Sequence, residues 1–254
     1  MSSADAKTIL ITGASSGLGA EMARQFAALG HDLALCARRQ EKLDALKAEI
    51  AASHPDRRVE VRTLDVTDDD AVFEVFRAFQ ADFGTIDRVI INAGLGKGAP
   101  IGTGRYDANR ETAMTNFVAA LAQSEAAMEI FREQDAGHLV MISSMSAMRG
   151  MPKQMTTYAA TKAGAAHIAE GLRNELYGKP IKVTVLYPGY ISSEMNERVY
   201  PKKAKGMVST EKGVRAMVAA IEKEVDSACV PQLPWAPMSV LMKHAPLGVL
   251  KRIM

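Results

Sequence analysis

Tyr158 and Lys162 lie four residues apart, a spacing that puts both on one face of a helix. A phenol with a pKa of about 10 is a poor base near neutrality. An ammonium beside it favours the phenolate and lowers that value. Such a pair can give a proton to, or take one from, the oxygen of a carbonyl/alcohol couple. Upstream, Ser143-Ser144 offers hydroxyls that could hydrogen-bond the same oxygen. The competing reading is a core tyrosine beside a surface lysine, and the two residues alone do not exclude it.

The second chemical signal is Thr12-Gly13-Ala14-Ser15-Ser16-Gly17-Leu18-Gly19. Before it, Lys7–Ile11 is a short apolar run that reads as a buried strand; after it, Leu18–Phe26 has helical spacing and no breaker. Glycines in a strand-to-helix turn let a ligand approach the main chain. The helix start presents unpaired N–H groups and a positive dipole end, which suit phosphate. Ser15 and Ser16 add hydroxyl donors. The turn therefore reads as a pyrophosphate cradle for a dinucleotide. Where a carboxylate would receive a ribose 2′-hydroxyl, the chain has Arg38-Arg39. Guanidinium groups match phosphate oxygens in charge and geometry, so NADP(H) is expected rather than NAD. The alternative is that both arginines are simply a solvated helix start.

These residues need a scaffold, and strand-like and helix-like segments alternate along the whole chain. Strands are expected at Lys7–Ile11, Asp32–Ala37, Arg58–Leu64, Asp87–Ile91, His138–Ser143, Ile181–Tyr187 and around Ala228–Val230. Helices are expected at Gln40–Ala52, Ala71–Phe83 (after the capped start Thr67–Asp70), Ala108–Gln134, Thr156–Tyr177 and Thr210–Val225. The strands are near-continuous apolar runs, as in a sheet covered on both faces. The fold class is α/β: a single Rossmann-like, doubly wound parallel sheet of about seven strands, one domain over residues 1–254. Ligands in such sheets lie beyond the carboxyl ends of the strands. That rule selects Gly13–Gly19, Cys36–Arg39, Asp65-Val66, Asn92–Gly94, Ser143-Ser144 and Pro188–Ser193.

A net charge of +2 and the lack of a Lys/Arg run give no nucleic-acid footprint. Cys36 and Cys229 are far apart in apolar segments and read as buried thiols in a reducing compartment. Residues 1–6 lack the pattern of a signal peptide, and no uncharged apolar stretch reaches spanning length. A cytoplasmic protein is the expectation. The five histidines show no metal-ligand spacing, so no metal is expected.

Taken together, Thr12–Gly19, Asp65-Val66, Asn92-Ala93-Gly94, Asn116, Ser143-Ser144, Tyr158-x-x-x-Lys162 and Pro188-Gly189 resemble the short-chain dehydrogenase/reductase family over nearly the whole chain. The resemblance implies that Tyr158 is the general acid/base, that Lys162 lowers its pKa and binds the nicotinamide ribose, and that Ser144 orients the substrate oxygen. It implies that Asn116 holds a water linking the lysine to solvent. Asn92-Ala93-Gly94 would support the sheet beside the adenosine half, and Asp65-Val66 would contact adenine. Ile191 and Ser193 would meet the carboxamide. Two long helices commonly form a subunit interface in this family, which implies a homodimer or homotetramer. One feature departs from the pattern. Ser144 lies fourteen residues before Tyr158 where about thirteen is usual, and Met145 holds the usual offset. Ser146 is the second candidate.

Leu95, Met145, Met148, Met151, Tyr190 and Met195 flank the expected site. Thioethers are adaptable walls of apolar pockets, which suggests a hydrophobic carbonyl or alcohol; several of these could equally be core. Residues 195–207 read as a lid. In the tail, 231–254, Pro231, Pro234 and Pro237 should keep the chain extended past Trp235. Met238, Leu241, Met242 and Ala245 then form a helical stripe, which Pro246 ends, and Leu247, Leu250 and Met254 continue it with Lys243, His244, Lys251 and Arg252 as a basic border. That stripe either packs on the protein or a neighbouring subunit, or makes peripheral contact with lipid. An NAD-linked alcohol dehydrogenase and a cofactor-binding regulatory protein on the same fold are the alternative functions.

Overall fold

The computed structural model describes residues 6–96, 98–192 and 207–253. Seven parallel strands form one sheet: β1 (Thr8–Thr12), β2 (Asp32–Ala37), β3 (Val59–Thr63), β4 (Arg88–Ile91), β5 (Gly137–Ile142), β6 (Ile181–Pro188) and β7 (Ser227–Val230). Their spatial order is β3-β2-β1-β4-β5-β6-β7, so the chain reverses direction across the sheet between β1 and β4. Ile9 of β1 registers with Leu33 of β2 on one side, and Leu10 with Val89 of β4 on the other.

Successive residues of each strand enter opposite cores, because strand side chains alternate between faces. Leu10, Ala34, Cys36, Val89 and Ile91 face the side covered by α3 (Asp69–Phe83), α5 (Ala119–Gln134) and α6 (Met155–Glu175). Ile9, Ile11, Leu33, Leu35 and Ile90 face α1 (Gly17–Ala28), α2 (Gln40–Ser53) and α7 (Thr210–Glu222). Phe76 and Phe79 fill the first core and Phe26 the second, all fully buried. Each such side chain contributes about 1.5–3 kcal/mol relative to exposure. Asp68 caps α3 by accepting from the Ala71 N–H at 3.1 Å, which the sequence Thr67–Asp70 announces. Cys36 is buried in β2, where burial pushes its thiol up to about 12, whereas Cys229 in β7 is only half-buried.

At the other edge of the sheet from the strand carboxyl ends, fully buried Arg88 ties β4 to its neighbours. Its Nε donates to His138 Nδ1 at 3.0 Å, and its guanidinium pairs with Glu222. Burial foremost, then the charges of Arg88 and Lys7, push His138 down to about 3, so the ring stays neutral.

Two segments differ from the sequence expectation. The helix expected over Ala108–Gln134 is α4 (Tyr106–Ala113) and α5 joined by a π-helical turn, Met114–Val118. The tail is also different. Helix α8 runs Gln232–His244 and contains Trp235 and Pro237, so the chain does not stay extended past Trp235. Leu233, with non-helical φ/ψ, marks the start of regular geometry. Pro234 and Pro237 therefore fall in the first turn, where few N–H groups have intrahelical partners and the Pro237 ring meets no helical carbonyl. Pro246 ends that helix as expected, and α9 (Leu247–Ile253) follows.

Candidate active site

Beyond the carboxyl ends of the strands lies a cavity of about 1300 Å³. Drug-sized ligands occupy roughly 300–1,000 Å³, so this space takes a large ligand and a second molecule. Its wall includes Gly13, Ser15, Ser16, Gly17 and Leu18 from the first turn, and Arg38, Arg39, Asp65 and Val66 from the ends of β2 and β3. Asn92, Ala93 and Gly94 follow β4; Ser143 and Ser144 follow β5; Tyr158 and Lys162 come from α6; Pro188 ends β6, and Gly189 and Ile191 follow it.

The glycine turn is built for close approach. Gly13 has φ +66°, and a methyl group on it would lie 2.9 Å from Ala93 Cα. A methyl on Gly19 would lie 2.4 Å from the Gly13 carbonyl oxygen, so Gly19 sits beneath the cradle and off the wall. Ser16 precedes α1 without a side-chain cap, which leaves the first-turn N–H groups open to an anion. Arg39 reaches into this turn: its Nε and Nη2 donate to Ser15 Oγ at 3.2 and 3.1 Å. Arg38 is largely exposed, with Nη1 4.0 Å from Asp65 Oδ2. Asn92 Nδ2 donates to the Thr12 carbonyl at 2.9 Å and locks β1 to β4 at the base of the turn.

At the other end of the cavity, the three serines after β5 have distinct roles. Ser143 Oγ donates to the Lys162 carbonyl at 2.8 Å, which fastens α6 to the sheet. Ser144 Oγ accepts twice from Ser146, from its N–H at 3.2 Å and from its hydroxyl at 3.0 Å. A hydroxyl has two lone pairs and one proton, so this arrangement leaves the Ser144 proton as a donor. Lys162 is buried and donates from Nζ to the Ile142 carbonyl at 2.9 Å; burial pushes its ammonium down to about 8.

Asn116, in the π-helical turn, is buried and lies off the wall. Its Oδ1 accepts from the Leu95 N–H at 2.7 Å and its Nδ2 donates to the Leu95 carbonyl at 2.8 Å, so the side chain shapes the segment after Gly94. Ser193, Met195 and the expected lid over 195–207, save Met207, lie outside the described residues. Ile191 and Val208 form an isolated parallel bridge.

The apolar end of the cavity has a wall that sequence reasoning missed. Met145, Met151 and Tyr190 line it as expected, whereas Leu95 does not and Met148 packs behind it. Trp235, Met238 and Met242 of α8 and Leu247 and Leu250 of α9 complete it. Trp235 stands edge-on to Tyr190, with ring centroids 5.2 Å apart. It lies so close to Gly189 that a methyl there would sit 2.1 Å from the indole. Arg149, in the loop after Ser144, donates from Nη1 to the carbonyls of Lys243 at 3.2 Å and Ala245 at 3.1 Å. This pins the end of α8 to the serine loop. The apolar periodicity of the tail signals that it packs, but nothing in the sequence says against what.

The chain is similar to known oxidoreductases. Residues 7–204 match the family model described as short chain dehydrogenase. An uncharacterised oxidoreductase of Mycobacterium tuberculosis is 51% identical over 244 residues, covering 96% of each chain. A short-chain dehydrogenase from Sphingobium yanoikuyae, solved with NADPH, superposes with a TM-score of 0.82 at 27% identity, covering 98% of this chain and 96% of that one. A Burkholderia phymatum relative solved with NAD has a TM-score of 0.84 at 20% identity, covers 98% and 97% of the two chains, and speaks to the fold alone.

Proposed function

The chain belongs to the short-chain dehydrogenase/reductase family and is an oxidoreductase of that type, and from this premise we propose that it interconverts a carbonyl and an alcohol on a hydrophobic small substrate with NADP(H). The observation that carries the reading is the single cavity that joins Arg38 and Arg39 at one end to Ser144, Tyr158 and Lys162 at the other.

The cradle of Gly13–Gly19 and the start of α1 would hold the pyrophosphate, with Arg38 and Arg39 on the 2′-phosphate. Asp65-Val66 would contact adenine, and Pro188-Gly189, Ile191 and Ser193 the nicotinamide side. The bound dinucleotide supplies or accepts the hydride. The protein's own part is to place a carbonyl oxygen between two donors. Ser144, its lone pairs engaged by Ser146, donates one hydrogen bond. Tyr158 gives the proton in reduction and takes it back in oxidation. Lys162 favours the phenolate when the proton has left and is positioned by the Ile142 carbonyl. Asn116 would hold a water linking Lys162 to solvent. Trp235, Met242 and Leu250 exclude bulk water from the apolar end, which strengthens the hydrogen bonds inside.

Phe117 in the π-helical turn and Leu121 on α5, both exposed, support assembly into a dimer or tetramer. A cytoplasmic location remains the expectation. Among the described residues, no helix is long and apolar enough to cross a membrane. The alternative is an NAD-linked alcohol dehydrogenase, in which Arg38 and Arg39 are a solvated helix start. A panel of aliphatic and aromatic ketones, aldehydes and secondary alcohols, read by nicotinamide absorbance with each cofactor, tests the proposal. Turnover of apolar members with NADPH well above NADH is expected. No turnover with either cofactor would overturn the proposal.

A further inference from the structure

Helix α8 is apolar on two sides. Trp235, Met238, Met242 and Ala245 turn inward to the cavity and core, which accounts for one stripe. Pro237, Val240, Leu241 and His244 recur at helical spacing on the outer side, and all four are exposed. Leu241, expected in the inward stripe, is 37% exposed. Leu233 before them and Leu247 and Val249 after them extend this outer surface at 77%, 60% and 43% exposure. Of the eleven large apolar side chains exposed among the described residues, these four and Val240 lie within 233–249. A concentrated exposed apolar patch marks an interaction surface.

Charge indicates what covers it. From Ser227 to Met254 the sequence has no Asp or Glu, and it has Lys243, Lys251, Arg252 and His244. An apolar face with Lys243 and Lys251 exposed beside it, and no carboxylate in its own stretch of sequence, fits the boundary of an anionic bilayer, where apolar side chains enter and lysines meet headgroups. The patch also adjoins the cavity, since Leu247 and Lys251 belong to both. We propose that the outer face of residues 233–251 docks the protein on an anionic lipid surface, with the mouth of the substrate cavity opening at that contact. The docking does not depend on which carbonyl is reduced.

The test is sedimentation of the full chain with vesicles, with oligomeric mass followed by light scattering. Vesicles of phosphatidylcholine alone are compared with vesicles one-third phosphatidylglycerol, at low and high salt. Binding to the anionic vesicles that weakens with salt is expected. Val240→Ser with Leu247→Ser should lower the partition coefficient at least tenfold, and Lys243→Glu several-fold. The emission of Trp235, the single tryptophan, verifies that each variant is folded. Equal binding by the serine variant, or no sedimentation at low salt, overturns the proposal. So does a loss of oligomeric mass in the serine variant when the wild type does not sediment, because the patch is then a subunit interface.

Discussion

Replacing Lys162 with methionine should change how stability responds to pH more than it changes the fold. The side chain is 6% exposed, and burial pushes its ammonium from 10.5 down to about 8. At 1.36 kcal/mol per unit, keeping it charged in the folded protein costs about 3 kcal/mol. Because the folded value lies below the unfolded one, the cost is present in full below pH 8. It fades as pH rises toward 10.5, above which both states are neutral. Between those limits the wild type gains about 1.4 kcal/mol per pH unit from this residue, and Lys162→Met gains none. Losing the hydrogen bond to the Ile142 carbonyl shifts the variant by a constant and leaves the slope untouched. Urea unfolding of both cofactor-free proteins from pH 7 to pH 10.5 measures the difference, and groups common to both, Cys36 among them, cancel. The two profiles should converge or cross by about 3 kcal/mol over that span. Parallel profiles would show that Lys162 is not held against its charge, and the account of the site as a place of stored electrostatic cost would fail.

Three further outcomes follow from the site. Tyr158→Phe should reduce turnover by at least a thousandfold with little change in NADPH affinity, since only proton transfer is removed; equilibrium titration alongside initial rates would reveal substantial residual activity if the chemistry lies elsewhere. Replacing Arg38 and Arg39 together with alanine should weaken NADPH binding by about a hundredfold at about 1.5–3 kcal/mol for hydrogen bonds to a charged group, and NADH binding only slightly; equal losses in calorimetry would refute the 2′-phosphate assignment. Ser144→Ala should lower kcat more than Ser146→Ala, because Ser146 acts through Ser144; the reverse order of rates would make Ser146 the donor.

Where the sequence carries a local physical rule, the fold is legible. The turn Gly13–Gly19 between an apolar strand and a helix, the Asp68 cap and the apolar strand runs each have one satisfactory structure, and they fix the sheet and the glycine-lined end of the cavity. The π-helical turn at Asn116 is invisible to periodicity, because one widened turn leaves the apolar spacing on either side nearly intact. Choosing among Ser143, Ser144 and Ser146 requires hydrogen-bond partners distant in sequence, namely the Lys162 carbonyl and a neighbouring hydroxyl. The tail failed for another reason. Three prolines argue against a helix only if they fall in its interior, and Leu233 places Pro234 and Pro237 in the first turn. The contacts of Arg149 with Lys243 and Ala245 link positions more than ninety residues apart, and no local pattern announces such a link.

The thioether wall also gives the site an oxidative vulnerability. Met145, Met151, Met238 and Met242 face the cavity, and Met148 backs them. Conversion of such a sulfur to the sulfoxide turns a flexible apolar side chain into a polar, chiral one. The glycine turn and the two arginines contain no sulfur, so peroxide would alter the apolar end of the cavity and leave that turn untouched. On the proposed function, an oxidised population would keep its affinity for the dinucleotide and lose discrimination among apolar substrates, and a sulfoxide reductase acting on accessible methionines would restore it.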